Sequence, residues 1–481
     1  MAPPPLPPPE PQSPAGQSGT EEAPHAARRA DQRPPRYGLR RAVVVGGLVA
    51  LVVLVAAVVV VVRRDDGGDR DGASSAPGWR GVVAIDPRNG EAVFIDGDGN
   101  LEDDPIGLGV TDPDDRFASS DTLIVGDDGE AAVVDLESGD VRAVELPEGA
   151  QLRRLRNTRK LVVAAADPSS GPAVLITAEG DVDVNATAEL DDGRYLPDQM
   201  TSDPAGEAVL ASEVTTFQTV LVPLDGGDPE FFAGAGVALT ADDVVTLERV
   251  GSDAEVVITP RDGGDERRIA TRDLQGVAAT SEGGLLLVTE DGQISTVAKG
   301  ADEAEDSVAI ELSDGASVDS VLPFPAIDRA LIGDGTRVHL LDTTDGSVIE
   351  SVEGELGFGG QFGDPVQRCH AVVTAAGLGT IDLVTGDVST VAIEGLDRPA
   401  VTSVDGCTVV GGIAAGTVVL RADALVELGD GTSLRAIAPD GSAVITAEED
   451  EDPVLRNLDD PEAEPVALDV FEFSEFVFVE E

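Results

Sequence analysis

Soft metal ligands, imidazoles and amines are scarce in this chain: 481 residues include two cysteines, three histidines and two lysines. Cys369 and Cys407 sit in neither a C-x-x-C nor a zinc-ligand spacing, so zinc-site and redox-motif chemistry lack their ligand pattern. Each instead leads the same element of consecutive sequence units, HAVVTAAG after Cys369 and TVVGGIAAG after Cys407. In an oxidising compartment those matching positions predict one disulfide; the alternative is two buried thiols packing as small apolar residues. His25 lies in a polar tail, His339 inside the run RVHLL, and His370 directly after Cys369. Nothing distinguishes His339 or His370 from a structural histidine.

The sequence contains no G-x-S-x-G elbow, no H-E-x-x-H pair and no G-x-x-x-x-G-K phosphate loop, which are the local patterns of common hydrolases and nucleotide binders. Carboxylates are so frequent that no pair of them reads as a glycosidase dyad. Asp96, Asp98 and Asn100 in DGDGN place oxygens at alternate positions, as calcium loops do, but the bidentate Glu that completes such a loop is missing. The inventory therefore assigns no catalytic, cofactor-binding or metal-ligating residue, and only Cys369 and Cys407 as a bonded pair.

The stretch that divides the chain is Ala42–Val62, AVVVGGLVALVVLVAAVVVVV, 21 residues without a charge, a proline or a hydrogen-bonding side chain. At about 1.5 Å per helical residue it spans roughly 30 Å, the thickness of a bilayer core. Valine is a mediocre helix former in water, but in lipid every backbone group must pair within the segment, and that leaves helix. A cleaved signal peptide has an apolar core of about 7–15 residues followed by a small-residue site; here Arg63, Arg64, Asp65 and Asp66 follow directly. Six arginines precede the run (Arg28, Arg29, Arg33, Arg36, Arg40, Arg41) and three follow it (Arg63, Arg64, Arg70). The more basic side stays in the cytoplasm. The expected organisation is a disordered, Pro-rich cytoplasmic tail over 1–41, a transmembrane helix over 42–62, a flexible linker over 63–80 and an extracytoplasmic domain over 81–481. Ala42, Gly46 and Ala50 form a small-xxx-small row of the kind that lets two helices pack closely.

The formal charge is −59, and residues 1–41 hold six arginines against four acids, so +2 there leaves −61 for the rest. Such a surface repels nucleic acid and anionic headgroups and suits cationic partners, divalent ions or solubility alone. No nucleic-acid partner is expected.

From Gly81 onward a unit of about 40 residues recurs: a β-branched run, a Gly/Asp turn, a second run, another turn and a third run. TLIVGDDGEAAVVDLESGDVRAVEL (122–146) is the clearest copy, and about ten can be counted. Asp86 and Gly90, Asp135 and Gly139, Asp342 and Gly346, and Asp382 and Gly386 each place an Asp four residues before a Gly. The Asp side chain caps such a turn and the Gly takes a φ > 0 position that L-residues resist. Short strands between turns, without helical periodicity, predict an all-β fold. Three strands and a linking fourth per 40 residues is the size of a β-propeller blade of antiparallel four-stranded type. Segments such as QLRRLRN (151–157) and SLRAIAP (433–439), just upstream of a copy, are expected to be the inner strand. The first copy has no such segment, and the final FEFSEFVFVEE (471–481) has no partner of its own. The economical solution is that the tail closes the ring by completing the first blade. Blade number stays open, since ten units fit one large ring, two smaller ones, or fewer blades with insertions.

The repeats AVVDLESGDV, VHLLDTTDGSV, TIDLVTGDV and VAIDPRNGEAV resemble the v-x-x-D-x-x-T-G repeats of quinoprotein-like and YVTN-type β-propellers, over most of 81–470. What the resemblance implies is the fold. Quinoprotein dehydrogenases pack tryptophans between blades; this chain has one, Trp79, standing before the first unit, so the resemblance brings no cofactor and no site residue. The expected function is a membrane-anchored binding or scaffold module of the bacterial cell envelope, with an envelope protein or small ligand as partner. The alternative is an extracellular enzyme acting on a small molecule at the propeller channel.

Overall fold

The computed structural model describes residues 78–481 apart from short interior stretches, among them 188–192, 358–366 and 471–473. The tail 1–41, the apolar run 42–62 and the linker up to residue 77 lie outside the described residues. Among the described residues no helix is long and apolar enough to cross a membrane.

The chain builds ten four-stranded antiparallel sheets. We number these blades from the one that opens with Trp79 and count the strands of each from the inside outward. Blade 1 contains Trp79–Asp86, Glu91–Asp96 and Ile106–Gly107; blades 2 to 10 begin at Asp115, Gln151, Thr201, Ala235, Leu274, Ser320, Glu355, Asp397 and Ser433. First strands of neighbouring blades touch one another, as in blades 1, 2 and 3 and again in blades 5, 6 and 7, so they surround a central channel.

Each gap between blades is filled by one apolar cluster, ten in all. Because second and third strands are covered on both faces, they read as continuous apolar runs rather than alternating ones. Val163–Ala166 and Ala173–Ile176 in blade 3 are buried at every position. Outer strands such as Val348–Glu353 are mostly open to solvent. Ten sheets joined by ten gaps form one ring, which settles the blade number.

The turn chemistry follows the sequence expectation closely. At all four Asp-to-Gly positions the Gly amide donates to the Asp carbonyl at 2.8–2.9 Å, with φ of 63°, 75°, 71° and 78°. The Asp carboxylate accepts from the amide two residues on in every case. The phase differs in one copy, however. The Asp135, Asp342 and Asp382 turns join third to fourth strands, whereas the Asp86 turn joins second to third. The first copy opens with a second strand like the others but carries the turn one hairpin earlier.

That inner strand is Glu475–Glu480, which pairs antiparallel with Trp79–Asp86 from Trp79 opposite Glu480 to Ile85 opposite Glu475. The tail thus closes the ring. Trp79 was expected before the first blade and the domain at residue 81; in fact the second strand of blade 1 starts at Trp79. Its ring meets Phe478 edge-on at 5.0 Å and its indole N–H donates to Ser442 of blade 10 at 2.9 Å. The correction has a physical cause: a lone tryptophan with a polar N–H is most useful where apolar burial and a hydrogen-bond partner meet, and the seam supplies both. Arg116 of blade 2 donates to Glu475 at 2.7 Å and to the Phe476 carbonyl, and Arg154 of blade 3 reaches Glu480 at 3.3 Å.

A disulfide joins Cys369, the first residue of the second strand of blade 8, to Cys407, the last residue before the second strand of blade 9, with Cα atoms 4.8 Å apart. Among the described residues this gap has the smallest apolar cluster, the four residues Ala371, Leu378, Val409 and Leu420, against thirteen between blades 3 and 4.

Two outcomes follow from closure and stapling. Deleting residues 471–481 is expected to lower the melting temperature sharply, since burial of Phe476 and Phe478 is worth about 1.5–3 kcal/mol each and a strand ladder is lost besides; an unchanged melting curve would refute closure by the tail. Converting Cys369 and Cys407 to alanine is expected to remove about 3–4 kcal/mol of stability by loop entropy across a separation of 38 residues. Denaturant titration measures that loss, and digestion without reductant should yield one linked peptide pair, not two alkylatable thiols.

Candidate functional site

Concave surfaces fall in two places. The first is the channel. The inner strands of blades 4 to 7 read TS, AGVAL, LQGVAA and SVLPF and carry no charge. Those of blades 10, 1, 2 and 3 carry Arg435, Glu475, Glu480, Asp115, Arg116, Arg153 and Arg154. Four arginines against three acids is a reversal of sign in a region whose total is −61. A pocket of about 400 Å³ opens in this sector, bounded by Arg116, Phe117, Arg154, Ile437, Phe476 and Glu480 among others.

The elements set these side chains by simple rules. Consecutive residues of the blade 2 inner strand serve opposite neighbours: Asp115 accepts from the Leu152 amide of blade 3 at 2.9 Å, and Arg116 reaches back to blade 1. Burial pushes the Asp115 carboxyl above the ordinary range, and the Leu152 amide opposes that only in part. Arg154 ends the blade 3 inner strand; its side chain is 8 % exposed, and its Nε has no hydrogen-bond partner. In blade 10 the register shifts between Leu434 and Ala436, leaving Arg435 unpaired in the ladder. Bulges of this kind re-aim a side chain, and Arg435 is solvent-exposed.

The second concavity, of about 880 Å³, lies on the face that carries the first-to-second and third-to-fourth turns, over blades 2 to 5. Lys160 and Arg261 both line it, as do Asp121, Glu179, Glu207 and Glu230. Arg261 is held by Asp203 at 3.1 Å.

The sequence-derived candidates lie elsewhere. His339 and His370 are both buried, on blades 7 and 8; His339 Nδ1 meets Ser351 Oγ at 2.9 Å and His370 stacks edge-on near Phe324 at 6.2 Å. Neither reaches the channel pocket or the turn-face cleft. Asp96 is consumed by its own turn, accepting from the amides of Asp98 and Asn100 and from the Asn100 side chain. Those bonds, the Asn100 side chain foremost, hold its carboxyl below the usual range. His25 lies outside the described residues. Among the described residues no three His, Cys, Asp or Glu side chains group as metal ligands. Sequence reasoning missed the channel sector, although the signal was there: DDRFA, QLRRLRN and SLRAIAP all bring arginine to inner strands, and the inner strands of blades 4 to 7 bring none.

Fold and channel together define the class: a ten-bladed β-propeller closed by its C-terminal strand, the architecture that the quinoprotein-like repeat resemblance implies. No protein-family model matches the chain, and no curated protein does. Among solved structures it is similar to dihydro-heme d1 dehydrogenase NirN in complex with DHE (14 % identity, 66 % of this chain and 74 % of that one, TM-score 0.40). A eukaryotic initiation factor aligns at 11 % identity over 73 % and 97 %, TM-score 0.46. Apo AztD from Citrobacter koseri aligns at 13 % over 74 % and 97 %, TM-score 0.37. No activity or residue role transfers at these levels.

The buried histidines generate a pH dependence. Burial disfavours imidazolium, holding His370 at about 4 and moving His339 in the same direction against the opposing pull of Asp334. The unfolded chain takes up these protons near pH 6.5, so stability is present above about 6.5 and is lost as pH falls from there toward 4, by up to about 3 kcal/mol for His370. Denaturant midpoints of wild type and His370→Gln across that window are expected to converge as pH falls; parallel curves would show that His370 is not the group responsible.

Proposed function

We propose that this protein is a membrane-anchored binding module, its propeller held outside the cytoplasm of a bacterial cell by the apolar run 42–62 and engaging a small ligand or an envelope partner. The observation that carries the binding reading is where the reactive groups lie. The two described imidazoles are buried between blades, while the groups that reach the channel and the turn face include arginines and carboxylates in ion pairs, which hold and orient a ligand. The external placement is supported by six arginines before the run against three after it. The Cys369–Cys407 bridge suits an oxidising compartment.

Protease treatment of intact cells is expected to degrade the propeller while sparing an N-terminal epitope tag. Loss of the tag with survival of the propeller would overturn the orientation, and survival of both until the cells are lysed would place the domain inside.

A further inference from the structure

We propose that the pocket in the arginine-bearing sector of the channel binds a small carboxylate with an apolar body. This names the ligand class of the binding module described above and rests on that reading.

The first observation is where the arginines gather. Outside, the domain is strongly acidic; the inner strands of blades 10, 1, 2 and 3 carry four arginines and three acids, those of blades 8 and 9 carry Glu355, Asp397 and Arg398, and those of blades 4 to 7 carry no charge. Of the acids that line the pocket, Glu480 is held by Arg154 and Asp115 by the Leu152 amide, while Asp114 is solvent-exposed. A ligand cation at Glu480 or Asp115 would have to break those contacts.

The second observation is an arginine short of acceptors. Arg154 lines the pocket with its side chain more than nine-tenths buried, makes one 3.3 Å contact to Glu480 and leaves Nε unpaired. A guanidinium presents five donors in a rigid fork that matches a carboxylate, and buried donors without acceptors are costly. A carboxylate sharing Arg154 with Glu480 would meet that shortage. Arg435, set by its bulge on the neighbouring inner strand and without an ion-pair partner among the described residues, adds a second cation beside the pocket wall.

The third is the wall itself. Phe117, Phe476 and Phe478, three of the chain's 12 phenylalanines, line this one pocket with Ala436 and Ile437. Apolar walls with a few placed polar groups are the usual make-up of a small-molecule site. The volume of about 400 Å³ admits a ring or short alkyl chain with its acid group.

The test uses the full-length chain in phosphatidylcholine nanodiscs, with empty discs as blank, and calorimetric titration with 3-phenylpropionate, 3-phenylpropanol and 3-phenylpropylamine. The three probes share a body and differ in charge. The expected order is carboxylate over alcohol over amine, the first two at least tenfold apart. Arg154→Met is expected to weaken the carboxylate at least tenfold, with its fold checked by circular dichroism. Glu480→Gln removes the competing acid and is expected to tighten it several-fold, a gain that a purely structural Arg154–Glu480 pair would not produce. No binding of 3-phenylpropionate at about 10 mM, the weak end of specific affinity, overturns the proposal, as does equal or tighter binding of the amine. Should either variant fail to fold, the wild-type order decides alone. A failed titration with a protected tag would overturn the ligand class and leave the anchored module standing; the reverse result would do the opposite.

Discussion

Everything in this ring depends on one pairing between distant parts of the chain, Glu475–Glu480 against Trp79–Asp86. Each apolar cluster is shared between two blades, so no blade owns a core, and the blades hold one another as stacked repeats do. In an open array the first and last repeats would each expose an apolar face. Here those two faces meet in a single cluster containing Val82, Ile95, Ala443, Ile445, Phe476 and Phe478. The entropy of closing so long a loop grows only with the logarithm of its length, whereas the burial gained is that of a whole blade interface. Topology of this kind makes folding slow without making the product weak.

The gaps are not equally filled. Thirteen buried residues join blades 3 and 4, where Val184, Tyr195 and Met200 from the long connection between those blades add to the core. The Tyr195 hydroxyl is deeply placed there, and burial pushes its titration up to about 12. Between blades 8 and 9 the described cluster shrinks to four small or medium residues, and a covalent bond is found at that gap.

Much of this was legible in advance, and the reasons are local. Asp-to-Gly spacing is legible because a positive-φ position and a side-chain cap are demanded by the turn itself, whichever blade carries it. Closure was legible because FEFSEFVFVEE alternates like a strand with nothing nearby to pair with. What misled was phase: VAIDPRNGEAV carries the same turn as its relatives but one strand earlier, and no local property of a turn records which strands it joins. A second turn type went unnoticed, at Asp203–Gly206, Thr280–Gly283, Ser403–Gly406 and Ala438–Gly441, where first and second strands connect. The channel was the least legible feature. Inner strands are short and irregular in pattern, and Arg116 and Arg154 acquire meaning only when strands some 360 and 326 residues away arrive beside them.

The composite first blade also determines how the ring bears load. Any force passed in from the residues before Gly78 arrives at Trp79, on a strand flanked by neighbours on both sides, Glu475–Glu480 and Glu91–Asp96. Ladder hydrogen bonds lie across the strand axis. A pull along that axis therefore shears six paired positions on each side together, instead of peeling an edge strand away one bond at a time. The point where the chain enters the ring is thus a strand held along both of its edges.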